Sequence, residues 1–232
     1  MRLNRGGTGR SRPRIQFDHV QVAVDSLDKA ADDFASRYGL LGHPGGRHPG
    51  RGTGNWIIPL GESYLELITV LDDAEAVKFP TSSRVRRALD ERRSFAAWAV
   101  RTEDLEASLA SFAAPGAPPA SLEIVEGRRR RPDGQELTWR SAELVPDGEF
   151  SVLPFVIEWQ ASAELYPGAA PPSHPSGARG FTSIVVSDPQ PERARLGLEH
   201  LLANDFQYSV EQGPSGVLEV VLDAPNGPLR IR

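Results

Sequence analysis

The sequence predicts an α+β fold in which repeated βαβββ units form curved mixed sheets that enclose a cup, with the helices outside. Three observations carry this. A strand, a polar turn and an amphipathic helix follow one another in "FDHVQVAVDSLDKAADDFASRYG", again in "FAAWAVRTEDLEASLASFAA", and again in "FTSIVVSDPQPERARLGLEHLLA". Each turn carries Asp, Ser or Thr, the residues that cap helix N-termini. Each helix is then followed by two or three further strand-like segments separated by tight turns. A single such unit covers one face of its sheet with its own helix. A second unit must complete the other face, and a cup between two sheets is the usual solution.

The first strand, "IQFDHVQVAV", spans Ile15 to Val24. Alternation puts Asp18, Val20, Val22 and Val24 on one face and Phe17, His19, Gln21 and Ala23 on the other. The valine face suits a helix, so His19 should look into the cup. In the helix that follows, Leu27, Ala30, Ala31, Phe34 and Tyr38 fall at helical spacing. The segment "GGRHPGRGTGN" reads as a flap over the cup mouth, carrying Arg47, His48 and Asn55 toward a ligand. His48 could equally be an exposed loop histidine. A phosphate-binding loop is excluded, because a strand rather than a helix follows. In "YLELITVL", Tyr64, Glu66 and Ile68 share a face, and a carboxylate set among apolar residues is costly to bury without a positive partner.

Unit two continues the pattern. Leu105, Leu109 and Phe112 mark its helix, and "SLEIVEGRRRR", a Pro132–Gly134 turn, "QELTWRSAELV" and "PFVIEWQ" are its strands. Arg128 to Arg130 read as a solvated hairpin. Arg140 lies in a central strand, where its guanidinium would grip a substrate anion or else pair with Glu158. Glu158 shares a face with Val156 and Gln160, opposite Phe155, Ile157 and Trp159. The domain plan is therefore a disordered basic tail at 1–14, a paired module at 15–160, a Pro/Gly linker at 161–179, and a third, partial unit at 180–232. The open face of that last unit, with Phe181, Ser183 and Val185, needs cover. The rest of the chain should supply it, with a homodimer as the alternative.

Composition narrows the function classes. The chain has 232 residues, 39% hydrophobic and 25% charged, with a net charge of −5. That balance is ordinary for a globular protein and lacks the basic footprint of a nucleic-acid binder. No apolar run reaches the ~18 residues that would span a bilayer. There is no cysteine, which removes disulfides, thiolate nucleophiles and Cys-based zinc sites. The opening "MRLNRGGTGRSRPR" has no apolar stretch of the signal-peptide kind. A cytoplasmic protein is the expectation, with a small molecule rather than nucleic acid or membrane as its partner.

The repeat, opened by "FDHVQVAV" and closed in its first unit by "YLELITVL", resembles the vicinal oxygen chelate superfamily. The run "GGRHPGRGTGNWIIPLGESYLELITVLD", with "RPDGQELTWR" and "LPFVIEW" after it, is similar to the glyoxalase-like domain branch. The resemblance implies a divalent metal (Zn, Mn, Fe or Ni) in the cup and no nucleotide cofactor. The metal would be held by residues of the first and last strands of two units. Carried onto this chain, those are His19, Glu66 and Glu158, with Phe95 standing where a second histidine would be. Lyase or isomerase chemistry through an enediolate would follow, with Glu158 or His48 moving a proton. Gln21, Asn55, Phe95 and Arg140 would contact the substrate. The alternative is a metal-free pocket, with His19 bonded to Glu66 or Gln21, in a protein that sequesters a drug or metabolite.

Overall fold

A computed structural model describes residues 14–112, 123–144, 149–170, 173–202 and 206–232. All but one residue of the expected basic tail lies outside that set. The first unit is β1 (Gln16–Ala23), α1 (Leu27–Tyr38), β2 (His43–His48), β3 (Thr53–Pro59) and β4 (Tyr64–Val70). The second is β5 (Phe95–Arg101), α4 (Leu105–Phe112), β6 (Ile124–Arg130), β7 (Glu136–Ala142) and β8 (Phe155–Trp159). Their strands close into one barrel in the order β1-β4-β3-β2-β6-β7-β8-β5. Each unit's first strand runs parallel to its last. β1 pairs antiparallel with β5, and β2 meets β6 at Arg47 and Arg130. Joining the two sheets along both edges leaves neither with an unpaired rim.

Local sequence explains the elements. Ser26 caps α1 by accepting the Lys29 amide, and Gly39 ends it at φ 59°, a left-handed conformation that glycine adopts without strain. Ala30 and Phe34 on the buried side of α1 share the main core with Val20, Val22, Leu65 and Leu67. The valine face therefore lies under the helix, as its alternation predicts. The segment expected to be a glycine-rich flap is instead a hairpin: β2 occupies its first half and β3 its last.

Two helices between the units had no counterpart in the expected plan. They are α2 (Asp73–Ala76) and α3 (Pro80–Asp90). Pro80 stands at the start of α3, where its missing N–H costs nothing. Val85 and Ala88 of α3 form a small second core with Ile68 and Ala96, and Ala23 packs alongside. Ala23 and Ile68 share the inward faces of β1 and β4, so α3 covers the barrel at that end.

The C-terminal unit is β9 (Gly180–Asp188), α5 (Pro191–Leu202), β10 (Gln207–Gln212), β11 (Gly216–Asp223) and β12 (Leu229–Ile231). Its element order matches the other two units but its winding does not. The sheet runs β10-β9-β11-β12, and β9 is parallel to the strand directly after its helix rather than to the last one. Ile184, Val186, Val217, Val220 and Leu222 belong to the same core as Val20, Trp98 and Val100. This sheet thus leans on the outside of the barrel, where Phe17 meets Phe181 at 4.7 Å and Phe206 at 4.4 Å between ring centres. The buried face is that of Ile184 and Val186; Phe181, Ser183 and Val185 are half-buried.

Candidate functional site

The inside of the barrel is built differently on its two sides. On the side of unit one, His19 and Gln21 from β1, His48 from β2, Asn55 from β3, and Tyr64 and Glu66 from β4 face a common cavity. On the side of unit two, Trp139 and Ser141 of β7 and Phe155, Ile157 and Trp159 of β8 form the wall. Ala97 and Ala99 of β5 pack with that wall, and Ala99 lies directly opposite His19. The cavity volume is about 60 Å³. That is well below the ~300 Å³ at which drug-sized ligands begin.

Glu66 is the hub. Its Oε2 accepts from Gln21 Nε2 at 2.8 Å and its Oε1 from Asn55 Nδ2 at 2.6 Å. His19 Nε2 stands 3.4 Å from Oε2 and His48 Nε2 3.9 Å from Oε1. Behind His19, its Nδ1 is 2.5 Å from Asp18 Oδ1. Strict alternation would put Asp18 on the valine face. A β-bulge between Phe17 and His19 turns it inward instead, re-aiming one side chain as bulges do. The buried Asp18 also accepts from Trp159 Nε1 and from the Tyr166 hydroxyl, both at 3.1 Å. Tyr166 belongs to the expected linker, so part of that segment folds against the cavity. The His19 ring stacks on Tyr64 with centres 4.6 Å apart.

These partners push the two histidines in opposite directions. Burial alone would lower the His19 pKa, but its bonds to Asp18 and Glu66 outweigh burial and raise it to about 9. Burial lowers that of His48 to about 4; Glu66 opposes this, while Arg129 and Arg51 add to it. Burial would raise the Glu66 carboxyl, yet His19, His48 and Asn55 bring it down to about 2. At neutral pH the cavity therefore holds a histidinium, a carboxylate and a neutral histidine, three charge states fixed by their neighbours. His48 Nδ1 is 2.8 Å from Thr53 Oγ1 and its Nε2 faces Asn55 Nδ2 at 3.3 Å. Because the amide donates, the Nε2 lone pair is the one turned to the cavity.

The structure brings His19, Gln21, His48, Asn55 and Glu66 together as the sequence suggested, and separates the rest. Glu158 is the main correction. Alternation grouped it correctly with Val156, but that face is the outer one: Phe155 and Ile157 point inward. The Glu158 carboxylate caps the Leu105 amide at 2.8 Å and binds Arg140 Nη2 at 2.8 Å. Arg140, opposite Glu158 in the strand register, is held outside the barrel by Glu158 and Glu106. It grips no cavity ligand. Phe95 is 3% exposed and sits in the main core; it does not line the cavity. Arg47 is exposed.

Two cavity-lining groups, Arg51 and Arg129, and Asp18 behind His19 escaped the sequence reading. Arg51 reaches from the β2–β3 turn to Thr81 Oγ1 of α3 at 3.4 Å and to the Glu126 carbonyl at 2.6 Å. Arg129, expected in a solvated hairpin, is 4% exposed and lines the cavity. The signal was in the register: Gly127 pairs with Trp139, and a side chain on Gly127 would strike the Trp139 ring at 2.3 Å. An inward Trp139 makes Gly127 and Arg129 inward and Arg140 outward.

The model of the glyoxalase-like domain matches residues 17–202. The chain belongs to that family. It also resembles solved structures. A hypothetical protein from Staphylococcus aureus superposes with a TM-score of 0.65 at 18% identity, over 94% of this chain and 86% of that one. Methylmalonyl-CoA epimerase from Streptomyces coelicolor gives 0.45 at 20% identity, over 63% of this chain and 98% of its own. The Mycobacterium tuberculosis epimerase gives 0.40 at 18%, over 62% and 86%. No curated protein matches the chain. Among the described residues no helix is long and apolar enough to cross a membrane.

The divalent metal implied by the superfamily meets a donor set that does not fit. Glu158 lies on the far side of the barrel wall, and Ala99 faces His19 from unit two. Both oxygens of Glu66 accept carboxamide N–H groups, and His19 Nδ1 is bonded to Asp18. Among the described residues, no group of three or more His, Asp or Glu side chains is placed to hold a metal ion.

Proposed function

We propose that this glyoxalase-like protein is an enzyme that takes a small oxygenated metabolite into the barrel and moves a proton at a carbon next to a carbonyl. The observation that carries the reading is the pair of buried histidines 3.4 and 3.9 Å from Glu66, whose surroundings push one pKa up and the other down. Two titratable groups whose surroundings drive their pKa values apart are a natural acid and base. His48 Nε2, whose lone pair faces the cavity and meets only the long 3.3 Å contact from Asn55 Nδ2, would accept the proton as the C–H bond breaks. The electron pair becomes the enolate π bond, and charge moves to the former carbonyl oxygen. The His19 Nε2–H, held cationic by Asp18, would stabilise that oxygen or protonate it. Glu66, with its low pKa, is too weak a base for the task and serves to fix His19.

The test is solvent exchange. Small 2-oxo and 2-hydroxy carbonyl compounds are incubated with the protein in D2O and the α-proton is followed by NMR. At least one compound should exchange faster with the wild type. The acceleration should vanish in His48→Ala and fall at least tenfold in His19→Gln. Binding without exchange would favour the second reading, a sequestering protein, for which the aromatic wall of Trp139, Phe155 and Trp159 speaks. Equal exchange in His48→Ala would refute the assignment of the base.

A further inference from the structure

Arg129 is the cation in this cavity that lacks an answer. Its side chain is on the inward face of β6, walled by Trp139, and lines the same space as His19, His48 and Glu66. Among the described residues no hydrogen bond or ion pair engages its guanidinium, and its Nε is buried with no acceptor. Glu66 acts on the guanidinium electrostatically but without an ion-pair contact, whereas the other charges around the cavity have contact partners. His19 answers Asp18 and Glu66, Arg101 stands 3.9 Å from Asp18, and Arg51 is tied to Thr81 and the Glu126 carbonyl. A guanidinium in a buried side chain with its Nε buried and without an acceptor is costly for a fold to keep. Folding alone gives no reason to keep it, whereas an anionic ligand does.

We infer that Arg129 is the anchor for a carboxylate on the ligand. A planar guanidinium presents parallel N–H groups that match the two oxygens of a carboxylate, a fit that a point charge lacks. The small cavity points the same way, since it leaves room for a short acid and not for a bulky anion. The ligand class is then a short-chain carboxylic acid bearing a further oxygen within reach of His19. Arg129 fixes one end while the histidines address the other. This deepens the proposed function in where the ligand sits, but it does not depend on proton transfer.

Acetate is the probe. Its binding to the full chain is followed by tryptophan fluorescence, since Trp139 and Trp159 line the cavity, and by thermal midpoint. Wild type should bind acetate and be stabilised by it. Arg129→Met should weaken acetate binding at least about tenfold, the loss expected for a charge-assisted pair. Without acetate, Arg129→Met should melt at or above the wild-type midpoint, because it removes an unpaired buried charge. Arg129→Lys should fold and bind with intermediate affinity, and Arg140→Met, outside the barrel, should bind as wild type. His48→Ala should keep acetate binding, which separates failure of the base from failure of the anchor. Unchanged acetate affinity in Arg129→Met would overturn the inference. So would a wild type indifferent to acetate, or an Arg129→Met chain that melts far lower or fails to fold.

Discussion

The two halves of the barrel share one architecture and divide the labour unequally. Unit one contributes the histidines, the two carboxamides and the carboxylate. Unit two contributes Ala97, Ala99, Phe155, Ile157 and two tryptophans, with Arg129 as its charge. The contrast is sharpest at Glu66 and Glu158. Each stands in the closing strand of its unit among apolar neighbours, yet one is the hub of the cavity and the other is an outer cap on α4. A strand in a barrel has two buried faces, one toward the interior and one under the helices. Equivalent chemistry in the sequence can therefore serve opposite sides of the wall.

Breaking the hub should have the largest effect. Glu66→Ala strands a buried histidinium and two carboxamides, and the loss of one member of such a buried pair costs about 3–5 kcal/mol. Denaturant titration would measure it. Phe95→Ala should cost a similar ~3–5 kcal/mol through a core cavity while leaving ligand binding in the barrel unchanged. Phe95→His should destabilise as well and gain no affinity for divalent metals, because that position does not reach the cavity.

Acidity separates the halves next. The His19 pKa lies above its ordinary value near 6.5, so the stability it contributes is complete below about pH 6.5. That contribution is ~3 kcal/mol, at ~1.4 kcal/mol for each pH unit between the unfolded and folded values. It is lost as pH rises through about 9. Melting points between about pH 6 and 10 should show this decline in the wild type and flatten in His19→Gln. The smallest effect belongs to Glu158→Ala. Its pair with Arg140 is partly exposed, and a loss of about 1 kcal/mol with no change in the cavity is expected. A loss as large as that of Glu66→Ala would erase the contrast between the two carboxylates.

Much of this molecule was legible in its sequence. The strand–helix repeats, the buried valine face and the inward set of His19, Gln21 and Glu66 follow from alternation. The sites at His48 and Asn55 follow from proximity to the cup. What alternation lacks is a sign. It groups Glu158 with Val156 but does not say which face is inside, and a register shift after Gln21 pairs Phe95 with Val22 on the core side. A bulge is also silent in a period-two pattern, so Asp18 was placed on the wrong face. Arg129 was masked by its neighbours, since four consecutive arginines read as solvated until the Gly127–Trp139 contact shows which of them turns in. The winding of the C-terminal sheet depends on which strand pairs with β9, and element order leaves that open.

The central claim is that Asp18 and Glu66 hold His19 charged while burial keeps His48 neutral in a single cavity. The direct measurement is a titration of the imidazole nitrogens by NMR in ¹⁵N-histidine-labelled protein, with His19→Gln and His48→Ala to assign the signals. At pH 7 both ring nitrogens of His19 should carry protons, and its transition should lie near pH 9. His48 should be neutral, protonated at Nδ1, until the pH falls toward 4. A His19 that is neutral at pH 7, with a bare Nε2, would contradict the account and return His19 to the role of a metal ligand.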